Sequence, residues 1–142
     1  MLRDRSVTAV IHHNPQCGTS RNTLKMIEAS GEDVSIIEYL KTGWTRPQLL
    51  ALFAGASLTP RTALRAGKSP AEELGLTDPS VPDDTILEAM LAHPILVNRP
   101  IVVTPKGIRL CRPSETVLEL LANPHFGVFT KEDGEQIDTG RA

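Results

Sequence analysis

Cysteine is nearly absent from this chain: Cys17 and Cys111 are its only two. Two are too few for a disulfide framework, and in a reducing compartment a lone cysteine is catalytic, metal-binding or simply buried. Aromatic residues make up 4%, which argues against a single-strand nucleic-acid binder that stacks bases on aromatic platforms. An excess of one charge is missing too. The formal net charge is -2 and the sequence pI about 6.1, so no long-range positive field draws in nucleic acid. No apolar run approaches the ~18 residues that cross a bilayer. The start of the chain carries Arg3, Asp4 and Arg5 and lacks the apolar stretch of a secretory signal. The expectation is a cytoplasmic protein with neither a membrane nor a nucleic acid as partner.

What is present fits one soluble domain: 142 residues, 40% hydrophobic and 23% charged. Of the 15 basic residues, Lys25, Lys41, Lys68, Lys106 and Lys131 are lysines and the rest are arginines. With no net positive charge, any anion site has to be a local concentration of those arginines.

Along the chain, Val7–Ile11 is β-rich and reads as a first strand, ending at the loop signal His12-His13-Asn14-Pro15. From Thr19 or Ser20 to about Ser30 the pattern is helical, with Leu24, Ile27 and Ala29 on its apolar face and Gly31 as a stop. Val34–Tyr39 reads as a second strand, parallel to the first. Thr45-Arg46-Pro47 opens a helix over Pro47–Ala54. A segment rich in Gly, Pro, Ser and Thr follows, with short helical pieces such as Ala71–Leu74. Asp83 is a candidate N-cap for a helix ending at His93-Pro94. Ile101–Thr104 and Ile108–Cys111 flank the turn Pro105-Lys106-Gly107 as an antiparallel hairpin, and a last helix covers Pro113–Leu121. The polar tail from Asn123, apart from Phe126–Phe129, shows no sustained periodicity and reads as poorly ordered. The order β-α-β, helical insert, β-β-α predicts an α/β fold: a mixed four-stranded sheet flanked by helices, with thioredoxin-like topology. The single domain comprises a core over residues 7–42 and 96–121 and an enlarged helical insert over residues 43–95.

Cys17 sits where the first strand hands over to the first helix. A helix N-terminus offers free N–H groups and partial positive charge, which stabilise a thiolate and hold an oxyanion beside it. Gly18 permits close backbone approach, and Thr19 and Ser20 can cap the helix and donate to an anion. The spacing is Cys-x-x-Ser rather than Cys-x-x-Cys, so Cys17 has no neighbour to resolve it and needs an external thiol such as glutathione. His13 either stabilises the thiolate electrostatically or caps the strand, while His12 alternates to the other side and is expected to be exposed. A phosphatase-type loop is excluded, because its arginine position, six after the cysteine, holds Thr23.

Arg99 precedes Pro100 at the start of the third strand. In thioredoxin-like folds a proline there is cis and packs against the catalytic cysteine, which brings Arg99 beside Cys17. Arg112, at the end of the partner strand, then falls near Arg99. Two guanidinium groups so close repel unless an anion lies between them, and their forks suit tetrahedral oxyanions. Arg65 and Arg61 in the insert are equivalent candidates on local grounds, and Arg21 faces either the anion or solvent. Cys111 reads as a buried, inert thiol. No Cys/His cluster has metal-ligand spacing, so no metal and no bound cofactor are expected.

The segments His13–Leu24, Glu72–Leu76, His93–Pro105, Arg109–Glu115 and Lys131–Glu135 together resemble the glutaredoxin-linked arsenate reductases of bacteria, the ArsC family. The resemblance implies that Cys17 is the nucleophile and that Arg65, Arg99 and Arg112 bind the anion. It also implies that His13 and Ser20 support the thiolate, and that arsenate is reduced to arsenite with glutathione as co-substrate and glutaredoxin as partner. Two rivals share the fold: a redox-sensing transcription regulator that binds RNA polymerase, typically through Cys-x-x-Cys, and a general glutathione-linked thiol oxidoreductase.

Overall fold

Ala9–His13 forms β1, and the register of its neighbours explains why it ends later than its apolar run. In the computed structural model, which describes residues 8–141, β1 pairs in parallel with β2 (Val34–Glu38), from Ala9 opposite Val34 to His13 opposite Glu38. It also pairs antiparallel with β3 (Ile101–Thr104), Ile11 facing Val102 and His12 facing Ile101. The sequence pattern places β1 at Val7–Ile11. Val7 lies outside the described residues, and strand partners on both sides at His12 and on the β2 side at His13 carry the strand through the two histidines. β4 (Gly107–Leu110) completes the hairpin with β3, giving the mixed order β2-β1-β3-β4.

The chain divides into two compact units, one comprising the residues up to Glu38 with those from Arg99 onward, the other Tyr39–Asn98. In the first unit, α1 (Gly18–Ala29) lays Met26 and Ile27 against Ala9 and Ile11 of β1, Val102 of β3, Cys111, and Val117, Leu120 and Leu121. Ala29, assigned by pattern to the apolar face, is exposed. Ser114–Leu120 is a 3-10 helix rather than the α-helix that its composition predicts. Its buried residues Ser114, Val117 and Leu120 recur every third position, the period of that tighter helix.

The tail departs most from expectation. Phe126–Thr130 (β5) and Gln136–Arg141 (β6) form an antiparallel two-stranded sheet. Phe129 is buried in the core of the first unit, and Phe126 and Ile137 pack against it.

In the second unit, α2 (Tyr39–Thr42) starts at a residue the sequence assigns to β2. α3 (Arg46–Ala56) opens on a capping box: Gln48 N–H donates to Thr45 Oγ1 and Thr45 N–H to Gln48 Oε1, both at 3.2 Å. α4 (Asp83–Ala92) includes Asp83 in its first turn, with Pro82 as N-cap, so Asp83 is one residue too late to cap it. Ala71–Leu74 forms hydrogen-bonded turns rather than a helix. Trp44 stacks on Tyr39 with ring centroids 4.9 Å apart, and its Nε1–H donates to the Pro94 carbonyl at 3.2 Å.

Candidate active site

β1 delivers its C-terminal end to the mouth of α1, and the link between them is a tight hydrogen-bonded turn. Asn14 Oδ1 accepts from Gln16 N–H at 2.9 Å, and the Asn14 carbonyl accepts from Cys17 N–H at 3.0 Å. This Asx-type turn makes Cys17 the N-cap residue of α1. Thr19 and Ser20 therefore lie inside the first turn and cap nothing, because the N-cap position is taken by Cys17 and the helix begins at Gly18. The Ser20 hydroxyl is used elsewhere, bonded to His13 Nδ1 at 2.7 Å and accepting from Asn14 N–H at 3.0 Å. Asn14 is a site residue that sequence reading passed over, although an Asn-Pro turn signal pointed to it.

Cys17 keeps 7% of its surface open, whereas Cys111 keeps 0%, and both are free thiols. Burial pushes the Cys17 thiol up, but four interactions together outweigh it: the Ser20 backbone N–H, the charge of Arg99, and hydrogen bonds from Arg112 and Arg99. The thiol is thereby held below its ordinary value. Arg112 Nη1 lies 3.8 Å from Cys17 Sγ and also donates to the Arg99 carbonyl at 3.1 Å. Burial, in contrast, drives Cys111 up to about 12, so it is a protonated thiol at neutral pH.

The peptide bond between Arg99 and Pro100 is cis, as is that between Arg112 and Pro113. Arg99 and Pro100 are buried, and Arg99 and Arg112 meet at the sulfur although 13 residues separate them in sequence. Arg65 belongs to the other unit, where it is buried, donates from Nε to the Gly67 carbonyl at 3.0 Å and takes the Leu96 carbonyl on its backbone N–H at 2.7 Å. Arg61 is committed to the Asp78 and Val81 carbonyls at 3.1 and 2.6 Å. Arg21 is committed as well: Nε and Nη2 grip the Glu132 carboxylate at 2.7 and 2.9 Å, and Nη1 donates to the Pro15 carbonyl at 2.7 Å.

Both histidines differ from a simple alternation of faces. His12, expected to be exposed, is 4% exposed, and its Nδ1–H donates to the Ile101 carbonyl at 3.0 Å. Both faces of β1 are buried at this end, so alternation moves a side chain from one covered face to the other. Burial lowers the His13 ring below its ordinary value despite the nearby Glu38 carboxylate. His13 is therefore neutral at pH 7, and what it offers the site is its bond to Ser20 rather than a charge. Gly18 is not demanded by its neighbours: a Cβ there would meet Arg21 Nη2 and Glu132 Oε1 at 3.7 Å, ordinary contact. Among the described residues, no three His, Cys, Asp or Glu side chains group so as to hold a metal ion, and no helix is long and apolar enough to cross a membrane.

The arrangement is a cysteine at a helix N-terminus, its thiol held below the ordinary value, with two guanidinium groups at its sulfur. The first-turn N–H groups of Gly18 and Thr19 have no intrahelical partner. Such a site favours attack on a tetrahedral oxyanion. Residues 12–120 match the model of the ArsC family. The chain is 65% identical over 128 residues to arsenate reductase ArsI2 of Synechocystis sp., covering 90% of this chain and 91% of that one. It is 55% identical over 127 residues to the arsenate reductase of Escherichia coli strain K12, covering 89% and 90%. Among solved structures, the arsenate reductase from Vibrio cholerae superposes with a TM-score of 0.76 at 38% identity, covering 82% of this chain and 99% of that one.

Proposed function

The chain belongs to the ArsC family, and from that membership we propose that it is an arsenate reductase that draws its electrons from glutathione and glutaredoxin. The observation that carries the reading is the meeting of Arg112 and Arg99 at the Cys17 sulfur, with the Ser20 N–H on the same atom. Relatives that match nine-tenths of the chain and bear the name arsenate reductase support the substrate.

Arsenate binds among Arg99, Arg112 and the first-turn N–H groups of α1. The guanidinium groups offset its charge, so that an anionic sulfur can approach. The Cys17 thiolate attacks arsenic, an arsenate oxygen leaves as water, and a covalent S–As(V) adduct forms. Glutathione attacks that adduct. The electron pair of the S–As bond stays on arsenic, which leaves as arsenite, As(III). The two sulfurs, each one electron poorer, remain joined as a mixed disulfide between Cys17 and glutathione. A glutaredoxin thiol then takes over the glutathione and frees Cys17. His13 acts through Ser20, whose place in the first turn of α1 sets the N–H that meets the sulfur. The external thiol is required because the chain's other thiol, Cys111, is buried and protonated. A reducing cytoplasm, which maintains glutathione, is the fitting compartment.

The test is arsenite production with glutathione and glutaredoxin supplied. Wild type and Cys111→Ser are expected to form arsenite and Cys17→Ser to form none. Turnover with either thiol supplier omitted would overturn the coupling, and no arsenite from wild type would overturn the activity.

A further inference from the structure

Arg21 and Glu132 lie outside the reacting groups, yet they tie the tail of the chain to the nucleophile loop. The turn between β5 and β6 is rigid in its own right: Lys131 N–H donates to the Glu135 carbonyl at 2.8 Å, and Glu135 N–H to Asp133 Oδ1 at 2.9 Å. Phe129 anchors the ribbon from its apolar side in the core that also holds Ile11 and Met26. The Lys131 ammonium bridges Glu115 at 2.8 Å and Glu135 at 3.1 Å. At the tip, Glu132 N–H donates to Asn22 Oδ1 at 3.0 Å while the Glu132 carboxylate takes both prongs of Arg21. The third Arg21 nitrogen closes on the Pro15 carbonyl, two residues before Cys17.

An isolated surface ion pair is worth little. This one differs in being bidentate, in having its carboxylate fixed by its own backbone on Asn22, and in spending the remaining Arg21 donor on the loop. We propose that the β5–β6 turn braces the nucleophile loop, with Glu132 holding Arg21 so that its guanidinium pins the Pro15 carbonyl and fixes Cys17 at the mouth of α1. Arg21 and Glu132 are positioning residues. The Glu132 carboxylate also occupies Arg21, so this arginine does not join Arg99 and Arg112 in binding the anion.

The inference takes from the proposed function only that Cys17 is the reacting thiol, and its test needs no arsenate. The rate of Cys17 alkylation by iodoacetamide is followed against pH, with Cys111 buried and silent. In Glu132→Gln and Arg21→Gln the loop slackens, contacts at the sulfur weaken, and the alkylation midpoint moves to higher pH, leaving several-fold less thiolate at pH 7. The double variant shifts no further than either single one. Glu132→Asp, which retains the charge, recovers part of the shift, and Arg109→Gln, which breaks the remote pair with Glu119, leaves the midpoint in place. A midpoint unchanged in Glu132→Gln means that the pair is only a surface contact. A midpoint moved to lower pH means that Arg21 acts on the sulfur through its charge. Either result overturns the brace.

Discussion

Arg112 and Cys17 are 95 residues apart in sequence, and the Arg112 guanidinium stands 3.8 Å from the Cys17 sulfur while its other bond rests on the Arg99 carbonyl. One arginine thus both touches the sulfur and is aimed by the backbone of the second.

Replacing that fork by a point charge tests the geometry. Arg112→Lys is expected to move Cys17 ionisation to higher pH and to lower kcat/KM for arsenate. The loss corresponds to about 1.5–3 kcal/mol, the usual worth of a hydrogen bond to a charged group. Steady-state kinetics with a parallel thiolate titration measures both, and a lysine variant with unchanged kcat/KM would refute the need for a fork.

Ser20→Ala removes one hydroxyl that serves two buried neighbours, His13 and Asn14. Leaving both unsatisfied costs about 1–3 kcal/mol, read as a lower denaturant midpoint at constant slope. Turnover is expected to fall as well, since the loop that carries Cys17 hangs from the same hydroxyl.

Acid weakens the fold through its two buried histidines. Burial holds His12 and His13 below 6.5 in the folded chain, while the unfolded chain titrates near ~6.5. Between those values the unfolded state binds more protons, so stability is complete above pH 6.5 and is lost as pH falls through the window. Urea midpoints at pH 7.5 and 5.5 are expected to show the loss in wild type, and His12→Asn to show less of it. Equal slopes in the two proteins would remove His12 from the account.

The opposite sign applies to Cys111. Its folded value near 12 lies above the ordinary 9.0, so stability drops as pH climbs past 9.0 and the unfolded chain sheds its proton first. Cys111→Ala is expected to lack this drop, to keep arsenate reduction, and to lose on the order of 1 kcal/mol of packing at neutral pH. Alkaline urea titrations of the two proteins side by side decide it.

The central sheet and its handover to α1 were legible because apolar runs and turn residues coincide there, as at Ile101–Thr104 with Pro105-Lys106-Gly107. The β5–β6 ribbon was not, and a bulge is the reason. The pairing register shifts between Phe126 and Val128, where Gly127 has φ +90°. The extra residue lies on β6, where Asp138 to Arg141 opposes only Phe126 to Val128, while on β5 the positive φ of Gly127 breaks strict alternation, so Phe126 and Phe129, at odd spacing, both reach the core while Val128 is exposed. At the site, Cys17, Arg99 and Arg112 could be read from a strand end, a proline and a hairpin. The roles of Asn14, Arg21 and Glu132 depend on contacts such as that between Arg21 and Glu132, 111 residues apart, which no local pattern encodes.

The stacking of Trp44 on Tyr39 has a practical side. This is the chain's single tryptophan, and it lies in the unit spanning Tyr39–Asn98, whereas Cys111 is sealed in the other. Indole fluorescence therefore reports melting of one unit, and capture of the Cys111 thiol by a coloured disulfide reagent reports melting of the other. The protein carries two native optical channels, one per unit, and superimposable melting curves would mark them as one cooperative block.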